Sequence, residues 1–305
     1  MAGAFVGVAD DASAVYWNPA GLATGAFVSF VLGFGGEDQI PPAGQAATGA
    51  SRQTARIVAL SAPPVGFAYY KQAIYVAGAA EPAVMGVPGR EEVRTSVHAI
   101  TTSTVGMALL HSLNDYVVVG TTLKLVSGHA AAGFAKTANA GDALDAAGDL
   151  AGETATKGDI DASVMIALNQ IRIGLVARNL TTPAFALDAV GSERVELQRE
   201  TRMGAAWGSG WPGMSRLVVA VDADLTPRVA LGGDRRDLAG GVETWWMTRR
   251  LGVRAGVRRS MIGDSRSVVA AGVSAGVTAS IFVEAHVARG QQDERAWSVG
   301  ARFGF

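Results

Sequence analysis

From residue 26 onward, apolar residues recur at every second position in short runs separated by polar, glycine-rich or proline-rich stretches. In the last run Trp297, Val299, Ala301, Phe303 and Phe305 share one face, and Ser298, Gly300, Arg302 and Gly304 share the other. Val277, Ala279, Ile281, Val283, Ala285 and Val287 alternate in the same way with Thr278, Ser280, Phe282, Glu284 and His286. Leu217, Val219, Val221, Ala223 and Leu225 alternate with positions that include Asp222 and Asp224. Period two is the mark of a strand whose two faces meet different surroundings.

Strands are predicted at 26–35, 56–62, 65–77, 95–110, 116–127, 158–168, 171–179, 200–207, 216–225, 238–246, 251–259, 267–274, 277–287 and 295–305. Their connections alternate. Pro63-Pro64, Asn114-Asp115, Asn169-Gln170, 247–250 and Ala275-Gly276 are short, while 37–53, 128–157 and 180–199 are long. Outer-membrane barrels keep that rhythm, with an even strand number, and a β-sandwich has no reason to. The expected fold is all-β, an antiparallel transmembrane barrel of about 14 strands over residues 26–305, its last strand closing against its first. The Ala-rich stretch 128–157 has room for a short helix.

Composition narrows the function. The chain of 305 residues is 49% hydrophobic and 17% charged, with a net charge of −1. No apolar run reaches the roughly 18 residues of a membrane helix. Near-neutrality gives no basic surface for nucleic acid. The absence of cysteine removes disulfides and thiolate chemistry. His98, His111, His129 and His286 show no metal-ligand spacing, and no nucleophile elbow or phosphate loop is present, so neither metal, cofactor nor enzymatic activity is expected.

Ahead of the strands lies the run Asp10-Asp11-Ala12-Ser13-Ala14-Val15-Tyr16-Trp17-Asn18-Pro19-Ala20-Gly21-Leu22. An aspartate can accept from the first free N–H groups of a helix of about two turns, Asn18-Pro19 ends it, and Gly21 suits a tight exit at positive φ. Residues 9–13 and 18–22 together resemble the N-terminal plug of outer-membrane barrels related to the fatty-acid transporter FadL, a group that includes TodX-like and PorV-like proteins. The stretch 174–180, Gly-Leu-Val-Ala-Arg-Asn-Leu, is more similar to the PorV and TraF-like branch. The resemblance implies that residues 1–25 form a helical plug that gates the lumen, with Asp10, Asp11 and Trp17 on it and Asn18, Pro19, Ala20 and Gly21 as its hinge. It also implies a bacterial outer-membrane location among membrane lipids, with Phe303 and Phe305 read by the outer-membrane assembly machinery. A secretory signal is then expected upstream of the run, since residues 1–9 carry neither its charged nor its apolar region.

The alternation puts Lys124, Asp161, Arg172, Arg178, Arg202, Asp222, Asp224, Glu243, Arg254, Arg258, Glu284, His286 and Arg302 on inward faces. Both signs occur on neighbouring strands, as in a mutually neutralising lumenal network; a polar permeation path or docking site is the functional alternative. Asp222 and Asp224 share a face and are able to bind a cation or act as an acid–base pair, but are expected to partner Arg202 and Arg254. The resemblance implies passive uptake of small hydrophobic or amphipathic molecules. Ile40, Val84, Met85, Val87, Phe134, Leu144, Phe185 and Leu187 are the loop residues available to line an apolar entry groove. The alternative function is to hold protein cargo in secretion or conjugation.

Overall fold

An open sheet leaves unpaired backbone N–H and C=O groups along each edge, and this chain closes its sheet so that no edge remains. The computed structural model describes residues 1–40, 49–85, 92–187, 193–209, 217–228, 234–247, 249–263, 266–291 and 293–305. Strands β1 (Ser29–Gln39), β2 (Ala50–Ala62), β3 (Val65–Glu81), β4 (Arg94–Ser112), β5 (Val117–Ala135), β6 (Ala155–Leu168) and β7 (Ile171–Arg178) form the first half of a barrel. A small hairpin, β8 (Ala184–Ala186) with β9 (Arg194–Glu196), follows. The second half is β10 (Glu200–Gly208), β11 (Leu217–Asp224), β12 (Asp237–Trp246), β13 (Leu251–Ser260), β14 (Ser267–Gly276), β15 (Ile281–Gly290) and β16 (Glu294–Gly304). Each barrel strand pairs antiparallel with its neighbours, and β1 pairs with β16 from Ser29↔Gly304 to Gln39↔Glu294, leaving no edge.

Several boundaries move from the predicted positions, for one physical reason: polar residues continue a strand when neighbouring strands supply backbone partners. Glu37 and Asp38, expected in a loop, belong to β1 because β16 and β2 both pair there. The turn expected at Ala275-Gly276 lies at 277–280 instead. Val277 N–H donates to Ile281 O there, and the Thr278 hydroxyl accepts from the N–H of Ser280 and Ile281. The Asn114 turn forms as expected, its side-chain oxygen accepting from Tyr116 and Val117.

Strands β3, β4 and β5, of 17, 19 and 19 residues, rise above the others as a tall wall at the long-loop end. Both faces of this wall are covered. Outside lies α1 (Ala140–Gly148), the helix that 128–157 had room for, with Asn139 capping it through the Gly141 N–H. Its Ala143, Leu144 and Ala147 pack on Ala50, Ala77, Val97 and Ala135. Inside lies the β8–β9 hairpin, whose Phe185 packs on Ile100, Val126 and Ala130. Leu144 and Phe185 are therefore separated by the wall, Leu187 is packed beside Phe185, and Ile40 lies against the α1 cluster, while Met85 and Phe134 are exposed. The expected apolar residues do not converge on one groove; Val87 lies outside the described residues.

Residues before β1 turn back into the barrel rather than forming the two-turn helix predicted. Only Ala14–Trp17 is α-helical, and Pro19–Thr24 is a 3-10 turn; the rest is a succession of turns. Ser13 caps nothing with its side chain, since its hydroxyl is held by Asp11 at 2.5 Å. Asn18 is extended, with φ −165° and ψ 92°, and this ends the helix before Pro19. Gly21 is not at positive φ. It is required for close approach instead, since a Cβ there would overlap the Ala9 carbonyl oxygen.

The N-terminal segment and the lumenal cavity

The segment 1–25 is held in the lumen mainly by backbone groups reaching inward-facing side chains. Asp222 accepts the N–H of Phe5 and Val6, at 2.8 and 2.9 Å. Ser29 accepts from Ala12 at 3.0 Å and Ser163 from Ala20 at 2.9 Å, while Arg202 donates to the Gly3 carbonyl at 3.0 Å. Arg172 donates to the Val8 carbonyl and the Thr24 hydroxyl, so this inward arginine ties the segment to the wall. A turn-rich segment cannot satisfy its own backbone, so the barrel wall supplies the partners.

Packing follows the same plan. Ala12, Ala14, Val15 and Leu22 sit against Ala59, Ala68, Tyr70 and Ala108, and Ala4 and Val8 sit against Ala206, Val218, Ala220 and Ala239. The wall is thinned where the chain comes closest. At Gly120 an added Cβ would strike the backbone of Pro19 and Ala20, and at Gly174 it would strike Asn18 and Val6. The run Asn18-Pro19-Ala20-Gly21 is wholly buried, and Asn18 donates to the Val6 carbonyl at 2.9 Å. Its residues are thus the firmly docked part of the segment. Trp17 stacks edge-on against both Phe5 and Tyr16.

Among the described residues the inward charges assemble into five groups around the segment. Lys124 on β5 meets Asp159 and Asp161 on β6, each at 2.6 Å, and donates to Asn179. Arg178 meets Glu200 at 2.7 Å and lies 4.5 Å over the Tyr16 ring. Arg202 bridges Asp222 and Asp224, and Asp224 also meets Arg228, which reaches Asp237. Arg254 pairs with Glu243 and Glu284 rather than with the two aspartates, and Arg302 joins Glu284 to Asp11 of the segment at 3.5 and 3.6 Å. Nearer the long loops, Arg258 joins Glu37 to Glu294, and Arg235 also meets Glu37. His286 is bonded to the Ser298 hydroxyl at 3.1 Å.

Asp159, Glu200, Asp237, Glu37, Glu294, Arg228 and Arg235 are not among the residues expected in this network. Two were readable, since Asp159 is two before Asp161 and Glu200 two before Arg202 on the same faces. Glu37, Asp237 and Glu294 lie where the strands outrun their apolar pattern, and Arg228 and Arg235 lie in the connection between β11 and β12. Asp10 has no such partner at hydrogen-bond distance among the described residues, and burial pushes its carboxyl above the ordinary value, against the opposing pull of Arg302.

Alongside the segment a cavity of about 610 Å³ runs through the lumen, from Glu37, Arg235 and Asp237 near the long loops to Trp245 and Arg249 at the short turn after β12. Phe5, Tyr16, Trp17 and Tyr70 give it an aromatic side. Glu37, Arg235, Arg254, Arg258, Glu284 and Arg302 line one flank, and Gly33, Gly35 and Gly300 leave the wall beside them only backbone thick. The volume falls within the range of small-molecule sites, and the lining is amphipathic. Phe303 and Phe305 are far from it, on the barrel end, with ring centroids 4.5 Å apart.

A family model described as "F plasmid transfer operon, TraF, protein" matches residues 89–224, from just before β4 to the end of β11. No curated protein sequence matches the chain. Among solved structures the chain is similar to the monoaromatic hydrocarbon channel CymD, with 13% identity and a TM-score of 0.61 over 100% of this chain and 95% of that one. It is also similar to a FadL homologue of Pseudomonas aeruginosa, with 13% identity and a TM-score of 0.58 over 99% and 96% of the two chains. The Pseudomonas putida toluene transporter TodX follows, with 12% identity and a TM-score of 0.53 over 95% and 92%. At these identities what is shared is architecture: the chain has the closed antiparallel barrel fold of FadL- and TodX-type channels.

Proposed function

We propose that the protein is a non-enzymatic barrel of the bacterial outer membrane, surrounded by lipid, that lets small amphipathic molecules pass passively through its lumen. The observation that carries this reading is the cavity alongside the N-terminal segment, with an aromatic side facing a charged flank. The charges of that flank are paired with one another but stay polar and partly exposed, so beside the aromatic side they suit a molecule with a polar head and an apolar body better than a purely apolar solute. The hydrocarbon channels of like fold support the transport class. In this reading residues 1–17 are the gate and move about the docked Asn18–Gly21 run, breaking hydrogen bonds rather than a large apolar core.

The test is uptake by liposomes and conductance in planar bilayers, comparing the intact chain with one lacking residues 1–24. Entry of a radiolabelled fatty acid through the intact protein without ion leak supports the reading. No entry of fatty acid or of a small sugar, with conductance only after the deletion, overturns it. The match to the TraF model favours a second reading, in which the long-loop end holds a protein partner. That reading gains if the intact protein passes no solute and a substitution in α1 or the β8–β9 hairpin abolishes export of a protein substrate.

A further inference from the structure

On the outer surface of the barrel, two pairs of basic residues stand directly opposite each other on neighbouring strands. Arg56 on β2 is in register with Lys71 on β3, and Arg289 on β15 with Arg295 on β16. All four share the outward faces that carry Val58, Tyr69, Val287 and Trp297 closer to the short turns. Like charges placed opposite on a sheet repel, and a cation facing lipid is costly unless it lies at the interface. Among the described residues none of the four has an ion-pair partner. Asp38, which lies between the pairs on β1, gives its carboxylate to Arg52.

The two pairs also lie at closely similar heights. Arg295 is level in register with Asp38, Arg52 and Tyr75, so on β3 its row runs four positions above Lys71. Strands in a barrel are tilted, however, and a contour of constant height must descend from row to row. The short-turn rim measures that descent. Gly304, the last residue of β16, is in register through Ser29, Ser61 and Gly66 with Ala108, and β4 continues four residues further to Ser112. That is roughly one residue per strand, so over the three strand-to-strand steps from pair to pair the level of Arg295 descends to within about one residue of that of Arg56 and Lys71.

We propose that these two pairs bind the phosphate groups of anionic lipid headgroups, in the leaflet that meets the barrel at its long-loop end. This rests on the membrane reading above. Each pair presents two basic side chains whose Cβ atoms stand roughly 5 Å apart, side by side with an exposed apolar face below, matching the charge and shape of an acidic headgroup above its acyl chains. The headgroup phosphate relieves the repulsion within each pair, and the acyl chains cover the Val58–Tyr69 and Val287–Trp297 faces. The pairs thereby set the depth and tilt of the barrel.

The test uses the whole refolded protein. It is first inserted into phosphatidylcholine vesicles, and failure to insert overturns both the membrane reading and this proposal. Native mass spectrometry from detergent then compares retention of phosphatidylglycerol with that of phosphatidylcholine, for the unaltered protein and for the Arg56→Ala/Lys71→Ala and Arg289→Ala/Arg295→Ala variants. Phosphatidylglycerol should be retained selectively, with affinity falling about fivefold for each basic residue removed. Arg56→Lys and Lys71→Arg together should retain it. Normal insertion with equal retention of the two lipids, or retention unchanged in both alanine variants, overturns the proposal and leaves the membrane reading standing. A gel shift on heating confirms that each variant has formed its barrel.

Discussion

The Asp222 carboxylate accepts the backbone N–H of Phe5 at 2.8 Å across 217 positions of sequence, and the same oxygen takes the N–H of Val6. A wall residue thus completes the hydrogen bonding of a segment that cannot complete its own.

Asp222→Ala removes both acceptor bonds and leaves Arg202 with Asp224 alone. Docking of residues 1–11 should weaken by about 3 kcal/mol, since buried donors lose their partner. Limited proteolysis of the N-terminal segment should accelerate while the barrel still shows its gel shift, and Asp222→Asn should have a smaller effect. Unchanged proteolysis would refute the assignment of Asp222 as the main tether.

Gly120→Ala puts a methyl group into the backbone of Pro19 and Ala20, which must shift. Ion leak through bilayers should rise in this variant. Gly158→Ala is the matched control, because a Cβ there meets nothing within 4 Å, and it should behave as the unaltered protein.

Asp10 supplies a pH dependence. Burial raises its carboxyl above the ordinary value, with Arg302 and Arg172 opposing and Asp11 and Glu243 reinforcing. The docked state therefore favours the protonated form, and this contribution is complete below the unfolded value of 3.8 and lost as pH rises through the raised one. Leak current should fall on acidification from about pH 7 to about pH 4. Asp10→Asn should hold the low current at neutral pH and flatten the profile. A profile identical to that of the unaltered protein would assign the titration elsewhere.

Leu144→Ala opens a cavity between α1 and the outer face of the wall. A loss of about 2–4 kcal/mol of local stability is expected, by the usual cost of deleting a buried leucine side chain. Hydrogen exchange should quicken in 140–148 and leave the segment 1–25 unchanged, because the wall separates the two. Quickening in both would mean that wall and segment unfold together.

Much of this architecture follows from the sequence by itself. Alternation specified the barrel strands and which side chains face in, because on a closed sheet side-chain direction is set by parity alone. Lys124, Arg202, Asp222, Arg254 and Arg302 were placed inward on that ground. Parity does not say which strands adjoin at what stagger, so the partners of Arg254 could not be read: Glu243 and Glu284 reach it only because β12 and β14–β15 flank β13 in the observed register. The segment 1–25 was legible as a distinct piece, but its conformation was not. Its helix is cut to one turn because wall side chains, rather than local i to i−4 bonds, satisfy its backbone. Gly21 shows the same division: local sequence suggested a positive φ, and tertiary packing against Ala9 is what requires a glycine. Sequence alone determined what each face is made of; only the tertiary structure decided which faces meet, because partners across a barrel are joined by register and closure rather than by nearness in the chain.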